Sequence, residues 1–277
     1  MRARLESTVP EGRVDRDGRM FAMPILSTPC KRSVVTTIPD ELDKGRILAF
    51  LRKGAWFSRM PAPLQEALVD AGTVRTFEPG EVLGAEDRPV RGLYVILQGQ
   101  ALVTRQVEPD AESVIHVGGP GLWTGYVPML NRNVLAVTTT ARTRVRAFCV
   151  SAAKFRRLTD DTPEYFRHFA ALAAQQLAFV LRQLACSLTL SAEELLRLRL
   201  ADYTVLWRND GVDDDVIELA ISQSEVARMI GASRQTVNRC LIKLEEEGLI
   251  ETGFNTIRIL DPERLRQGHR STGLDWA

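Results

Sequence analysis

SQSEVARMIGASRQTVNRCLIKL, residues 222–244, is the stretch from which the rest of the chain can be read. Ser222 followed three residues later by Glu225 has the spacing of a capping box, in which the hydroxyl takes an orphan amide of the first helical turn and the carboxylate bonds back. Val226, Met229 and Ile230 then recur at helical spacing, and Gly231 stands where a residue tolerant of positive φ ends a helix cheaply. Ser233 is placed to cap a second helix, whose apolar positions Val237, Cys240, Leu241 and Leu244 share one stripe. Ala227 is small where two helices would cross. With Gly231 in the turn and Val237 six residues further on, the spacing is that of a helix-turn-helix.

Between Val226 and Lys243 the charged residues are Arg228, Arg234, Arg239 and Lys243, all basic, in a chain whose net charge is only +1. Phosphate neutralisation supplies non-specific DNA affinity, whereas reading base edges requires forked donors near the start of the recognition helix. Arg234, Gln235, Asn238 and Arg239 are the candidates for base contact, and Ser222, Ser233, Thr236 and Lys243 for backbone contact. The alternative, a solvated face on a two-helix hairpin, accounts for arginines taken singly but not for cap, crossing residue, turn and basic face together. Downstream, Leu249, Ile250, Ile257 and Ile259 form two apolar strand segments around Thr252-Gly253-Phe254-Asn255, a hairpin folded back on the helices as a wing. Asn255 and Thr256 join the candidates for phosphate contact, a plain turn being the other reading of each.

Residues 222–260, with ARMIGASRQTVNR and the trailing EEEGLIE, resemble the winged helix-turn-helix of the catabolite activator/fumarate-nitrate regulator (CRP/FNR) superfamily. The resemblance implies base contacts from Arg234 and Arg239. At the position of Gln235 the family often has glutamate, which accepts from cytosine; a glutamine amide is suited to adenine, so the half-site is expected to differ there. Relatives that sense oxygen through an iron-sulfur cluster carry clustered N-terminal cysteines. Here Cys30, Cys149, Cys186 and Cys240 are dispersed, with no C-x-x-C pair and no metal-ligand spacing.

A length of 277 allows about two domains, and average apolar and charged content indicates a globular chain with a proper core. No uninterrupted apolar run reaches the roughly eighteen residues of a membrane span, so a cytoplasmic protein without a membrane partner is expected. Residues 1–45 mix charge, Pro and Gly without periodicity and read as a mobile extension. No P-loop, metal triad or serine elbow is recognisable, which argues against an enzyme.

From Val74 to Val150, short stretches rich in Val, Ile, Leu and Thr are broken by Gly, Pro and Asp, as in a β-barrel or jelly roll. PGE at 79–81 and LYVILQG at 93–99 resemble landmarks of the cyclic-nucleotide-binding β-roll. Family members that bind the nucleotide hold its ribose with a glutamate after a glycine and its phosphate with an arginine-serine pair. In GLWTGYVPMLNRNVLAV the glycine is Gly125, Tyr126 stands in the glutamate position, and Val134 and Leu135 stand near the pair, with Arg132 the nearest cation. Burying a phosphate without its partners costs several kcal/mol, which argues against cyclic AMP. No cofactor is identified. Trp123 and Tyr126, with Gln175, Gln176 and Gln183 on the next helix, are candidates for lining a pocket for an unknown, less charged effector; a plain hydrophobic core is the alternative.

Thr162-Pro163-Glu164 opens a long helix in which Phe166, Ala170, Ala173, Leu177, Val180 and Leu184 step by four and three, a heptad seam. The family's long helix pairs with its two-fold mate, implying a homodimer whose two recognition helices read an inverted repeat. Leu195–Trp207 reads as another amphipathic helix, followed by the acidic loop at 209–215. In activators of the family that loop touches RNA polymerase, although Asp213, Asp214 and Asp215 also suit a solvated turn. The expectation is an α+β chain: helical lead-in and β-roll sensor over 46–160, dimerisation helix over 161–190, winged helix-turn-helix over 191–265 and a tail over 266–277. Its expected work is regulation of transcription through double-stranded DNA.

Overall fold

A computed structural model describes residues 43–109, 111–131, 134–209 and 217–267. Most of the expected extension, the acidic loop beyond Asn209, Arg132 and the tail after Gln267 lie outside the described residues. Three helices open the fold: α1 (Lys44–Leu51), α2 (Ala55–Ser58) and α3 (Ala62–Ala71). Then come β1 (Thr73–Phe77), β2 (Val82–Gly84), β3 (Gly92–Gln98), β4 (Ala101–Glu108), β5 (Ala111–Gly118) and β6 (Trp123–Thr124). A short α4 (Tyr126–Asn131), β7 (Thr138–Ala141), β8 (Val145–Ser151) and α5 (Ala152–Asp161) complete the roll.

The strands form two antiparallel four-stranded sheets, ordered β1-β8-β3-β6 and β2-β7-β4-β5, the jelly roll expected from the punctuation of the sequence. Strand β3 explains why LYVILQ is apolar without alternation. Its side chains point to opposite faces in turn. Leu93, Val95 and Leu97 enter one core with Phe57, Leu64, Leu68, Phe148 and Phe155, while Tyr94 and Ile96 enter a second core with Phe77, Leu83 and Val145 between the sheets. Gly99 supplies the turn into β4 at φ 86°, where a Cβ would stand 2.1 Å from the carbonyl oxygen of Arg144.

After a single 3-10 turn at Pro163–Tyr165 runs the long helix α6 (Phe166–Thr189). Phe169 and Leu172 bury it in the lead-in core, and the indole of Trp56 donates to the carbonyl of His168 (2.8 Å). Further along, Leu177, Leu181, Leu184 and Leu188 are 59%, 56%, 54% and 77% exposed. Pro163–Thr189, 27 residues whose most apolar 18-residue window has a mean hydropathy of 1.3, is long and apolar enough by composition to cross a membrane, although no uninterrupted apolar run in it reaches that length. Glu164, Arg167, His168, Gln175, Gln176, Arg182 and Gln183 interrupt it. Length and composition do not distinguish a span from a core or interface helix.

The remainder is α7 (Ala192–Asn209), β9 (Ile217–Leu219), α8 (Gln223–Ile230), α9 (Arg234–Glu246), β10 (Ile250–Gly253), β11 (Thr256–Ile259) and α10 (Pro262–Arg266). The sheet here is ordered β10-β11-β9, so the wing has a third, edge strand that the sequence reading missed. One core joins Leu196, Leu200, Val226, Val237, Leu241, Leu244, Ile250, Ile257 and Ile259, and β5 of the roll contributes Val114 and Val117 to it.

Candidate nucleic-acid interface

Both helices of the reader are capped as their sequence demands. The Ser222 hydroxyl accepts from the Glu225 amide (3.2 Å) and the Glu225 carboxylate from the Ser222 amide (2.7 Å), completing the capping box. Gly231 ends α8 in the left-handed conformation at φ 66°. Ser233 Oγ accepts from the Thr236 amide (3.1 Å) and shares a hydrogen bond with the Thr236 hydroxyl (2.9 Å). The hydroxyls of Ser222, Ser233 and Thr236 are thus already engaged in capping, and a phosphate would share them.

On α9, Val237, Cys240, Leu241 and Leu244 are buried, while Arg234, Gln235, Asn238 and Arg239 are exposed together on the opposite face. Their separations of one, four and five residues put them on one side of one helix. Asn238 is tied weakly to α8, accepting from Gln223 at 3.4 Å. Among the described residues Arg234 and Arg239 have no ion-pair partner. The other two cations are engaged. Lys243 lies 2.7 Å from Glu193 on α7, whose hydrogen bond raises the ammonium pKa, and Arg228 lies 2.8 Å from Glu112 at the start of β5. The sequence makes Lys243 a candidate phosphate contact. Glu193, fifty positions away, leaves no local signal of the pairing.

The wing is braced on the recognition helix: Glu245 of α9 accepts from the Thr252 amide (2.8 Å) and hydroxyl (3.0 Å). Asn255 is exposed at φ 55° and Thr256 half-buried, so both stand at the wing's turn as expected. The tip itself carries Phe254, 93% exposed, which the sequence places only as one residue of the hairpin turn.

The residues proposed for an effector pocket are distributed differently. The Trp123 ring meets Trp56 edge-on (centroids 5.1 Å apart) and stacks on Phe57 (5.8 Å), so partners more than sixty residues earlier in the chain occupy its faces. Tyr126 is 2% exposed with its hydroxyl unpartnered among the described residues, and burial raises its pKa. Gln176 is exposed and Gln175 half-buried on α6, whereas Gln183 is buried and donates to Asp202 of α7. Val134 is partly exposed. Leu135 is buried, and a Cβ on Gly84 would stand 2.9 Å from its side chain.

The expected seam is also split. Ala170, Leu177, Val180 and Leu184 are exposed, but Phe166 and Ala173 are half-buried, Ala173 against the lead-in core. The exposed apolar line that steps by four and three is Ala170, Ala174, Leu177, Leu181, Leu184 and Leu188.

Comparison with known proteins agrees with this arrangement. Residues 191–267 match the Crp-like helix-turn-helix domain and residues 74–162 the cyclic nucleotide-binding domain. The chain is 27% identical over 228 residues to the HTH-type transcriptional regulator Cmr of Mycobacterium tuberculosis, covering 79% of this chain and 88% of that protein. It is 27% identical over 199 residues to the CRP-like cAMP-activated global transcriptional regulator of the same organism, covering 70% and 87%. Among solved structures, FixK2 from Bradyrhizobium japonicum superposes with a TM-score of 0.58 at 17% identity, over 70% of this chain and 96% of that one. The c-di-GMP responsive global regulator CLP of Xanthomonas campestris superposes with a TM-score of 0.55 at 19% identity, over 72% and 99%.

Proposed function

This chain belongs to the CRP/FNR superfamily of transcription regulators and carries that family's helix-turn-helix DNA-binding domain, and on that premise we propose that it acts as a cytoplasmic homodimer on an inverted-repeat operator under an effector other than cyclic AMP. One observation carries the reading. The exposed face of α9 presents two arginines, an asparagine and a glutamine, all side chains able to reach base edges, while the opposite face holds the core. No chemistry beyond binding is needed for such a role, and we read the chain as a regulator rather than an enzyme.

The homodimer is supported by the leucines at 177, 181, 184 and 188, which leave an apolar stripe in water unless a second helix covers it. A two-fold pair of readers sets two half-sites about one duplex turn apart. Against cyclic AMP stand Tyr126 in the glutamate position and Val134 and Leu135 near the arginine-serine pair, none of which neutralises a phosphate. The fold itself is not tied to one ligand: one relative is called cAMP-activated and one structural neighbour c-di-GMP responsive. The packing of Trp123 and Tyr126 by the protein's own core favours a second reading, a constitutive regulator whose roll binds no ligand. RNA polymerase remains the third candidate partner, through the acidic loop after Asn209.

Selection from randomised duplexes with the purified full chain tests the function. The expected product is an inverted repeat bound by two chains; a protein that ignores duplex DNA at low ionic strength refutes it. Adding small-molecule cell extract to the operator complex then separates the two readings, since only an effector-controlled protein changes affinity.

A further inference from the structure

We propose that Phe254 is a wedge: on the bound operator its ring enters the groove beside the recognition helix and bends the duplex there. The inference rests on the DNA-binding reading above and adds to it a contact that is neither phosphate neutralisation nor hydrogen-bonded base readout.

Among the described residues Phe254 is the most exposed of the large hydrophobic side chains, at 93%. It stands with Asn255 in the two-residue turn between β10 and β11, beyond the terminal pair Gly253–Thr256. Its exposure is not that of a loose loop. Ile250, Ile257 and Ile259 anchor the hairpin in the core, Thr252 is bonded to Glu245 on α9, and Arg258 ties Glu251 (2.7 Å) to Glu218 on β9 (3.1 Å). The turn that carries the ring is therefore braced against the helix that bears Arg234, Gln235, Asn238 and Arg239.

The chemistry of the tip selects its partner. Thr252, Gly253, Phe254, Asn255 and Thr256 carry no charge, and the nearby cation of the wing, Arg258, is already shared by two carboxylates. The tip can offer phosphates little beyond amides and hydroxyls. A flat apolar ring, by contrast, is the group that proteins insert between base steps or against deoxyribose to unstack and kink a duplex. Because such a contact releases no counterions, its contribution to affinity does not depend on salt. That property separates it from the arginines of α9.

The test uses the full chain and its selected operator, with binding measured across a salt series and bending by circularly permuted fragments. Phe254→Ala is expected to bind about tenfold more weakly at every salt concentration, with an unchanged salt slope and a smaller bend, and Phe254→Leu to recover most of both. Circular dichroism should match wild type, since the side chain supports no packing. A Phe254→Ala protein that binds and bends as wild type overturns the wedge while leaving the DNA-binding reading intact; so does one whose loss comes with a shallower salt slope. A variant that binds normally but fails only to activate transcription assigns the ring to RNA polymerase and also overturns it. If wild type binds no duplex, the underlying reading falls first.

Discussion

The guanidinium of Arg142, in the turn between β7 and β8, lies 3.1 Å from the carboxylate of Glu225, the residue that closes the capping box of α8. The Glu225 carboxylate thus both caps the first helix of the reader and, beside the Arg228–Glu112 pair, joins that helix to the β-roll. Arg142 also donates to the carbonyl of Ala220 (3.2 Å). Beside it Gln100 bonds both ways to the wing sheet's edge, donating to the Glu218 carbonyl (2.6 Å) and accepting from the Ala220 amide (2.8 Å). The roll holds the reader through polar, reversible bonds as well as through Val114 and Val117 in the shared core.

Arg142→Ala should cost about 1–3 kcal/mol of unfolding free energy, because it leaves the Glu225 carboxylate, which is nearly buried, short of one charged partner. Glu225→Ala should cost more, since it removes the ion pair and opens the cap, worth about another 1 kcal/mol. Glu225→Gln, able to keep the cap bond, should fall between. Urea unfolding of the three variants gives the order; equal losses for Arg142→Ala and Glu225→Ala would mean that the cap contributes nothing.

His116 makes the same junction sensitive to acid. Its ring stacks on Tyr203 of α7 (5.1 Å), and burial, followed by the Arg199 charge, lowers its pKa to about 4. The folded value lies below the ordinary histidine value, so the unfolded chain takes up the proton first as pH falls. Stability from neutral His116 is complete above about pH 6.5 and is lost on the way down to about pH 4. Between pH 7 and pH 5 the loss should be about 1–2 kcal/mol. His116→Phe keeps the stacking and should flatten the difference, read as wild type minus variant in denaturant unfolding at the two pH values. A pH dependence unchanged in His116→Phe would place it elsewhere.

What could be read from the sequence was what is decided locally. Caps, the Gly231 turn and the stripe Val237-Cys240-Leu241-Leu244 depend on residues within one or two turns, and the structure has all of them. Lys243 and Trp123 were read as available because their partners, Glu193 and Trp56, are far away in sequence. The β9 strand has three residues and no periodicity to detect. The expected seam of α6 is only partly exposed, with Phe166 and Ala173 half-buried, for a different reason. The helix is apolar on two faces, one taken by Phe169 and Leu172 in the lead-in core, and spacing alone does not say which face the fold consumes.

The exposed leucines of α6 make a sharp prediction about assembly. Leu177→Glu with Leu184→Glu should convert the proposed homodimer to a monomer by light scattering, with little change in the unfolding of the chain itself, since both side chains are more than half exposed. Ala173→Glu should instead destabilise the fold, because Ala173 packs against the lead-in core. A wild type that is already monomeric, or that partitions into detergent, would refute the dimer seam and bring the helix's membrane-compatible composition to the fore.

The reading face supports a prediction in base sequence and in salt. Gln235 is exposed beside Arg234, and its amide can bond both N6 and N7 of adenine, whereas a glutamate there accepts from cytosine. Gln235→Glu should therefore move the selected half-site from adenine to cytosine at one position and leave the others unchanged. Arg234→Ala should cost about 1–3 kcal/mol on the operator and relax one base, because a forked donor is lost. Lys243→Ala should weaken operator and random duplex alike and reduce the salt slope by about one, provided the ammonium leaves Glu193 for a phosphate. Glu193→Gln tests that proviso, since it releases Lys243 and should raise affinity on both duplexes; if it does not, the freed ammonium reaches no phosphate and Lys243 serves α7 rather than the operator.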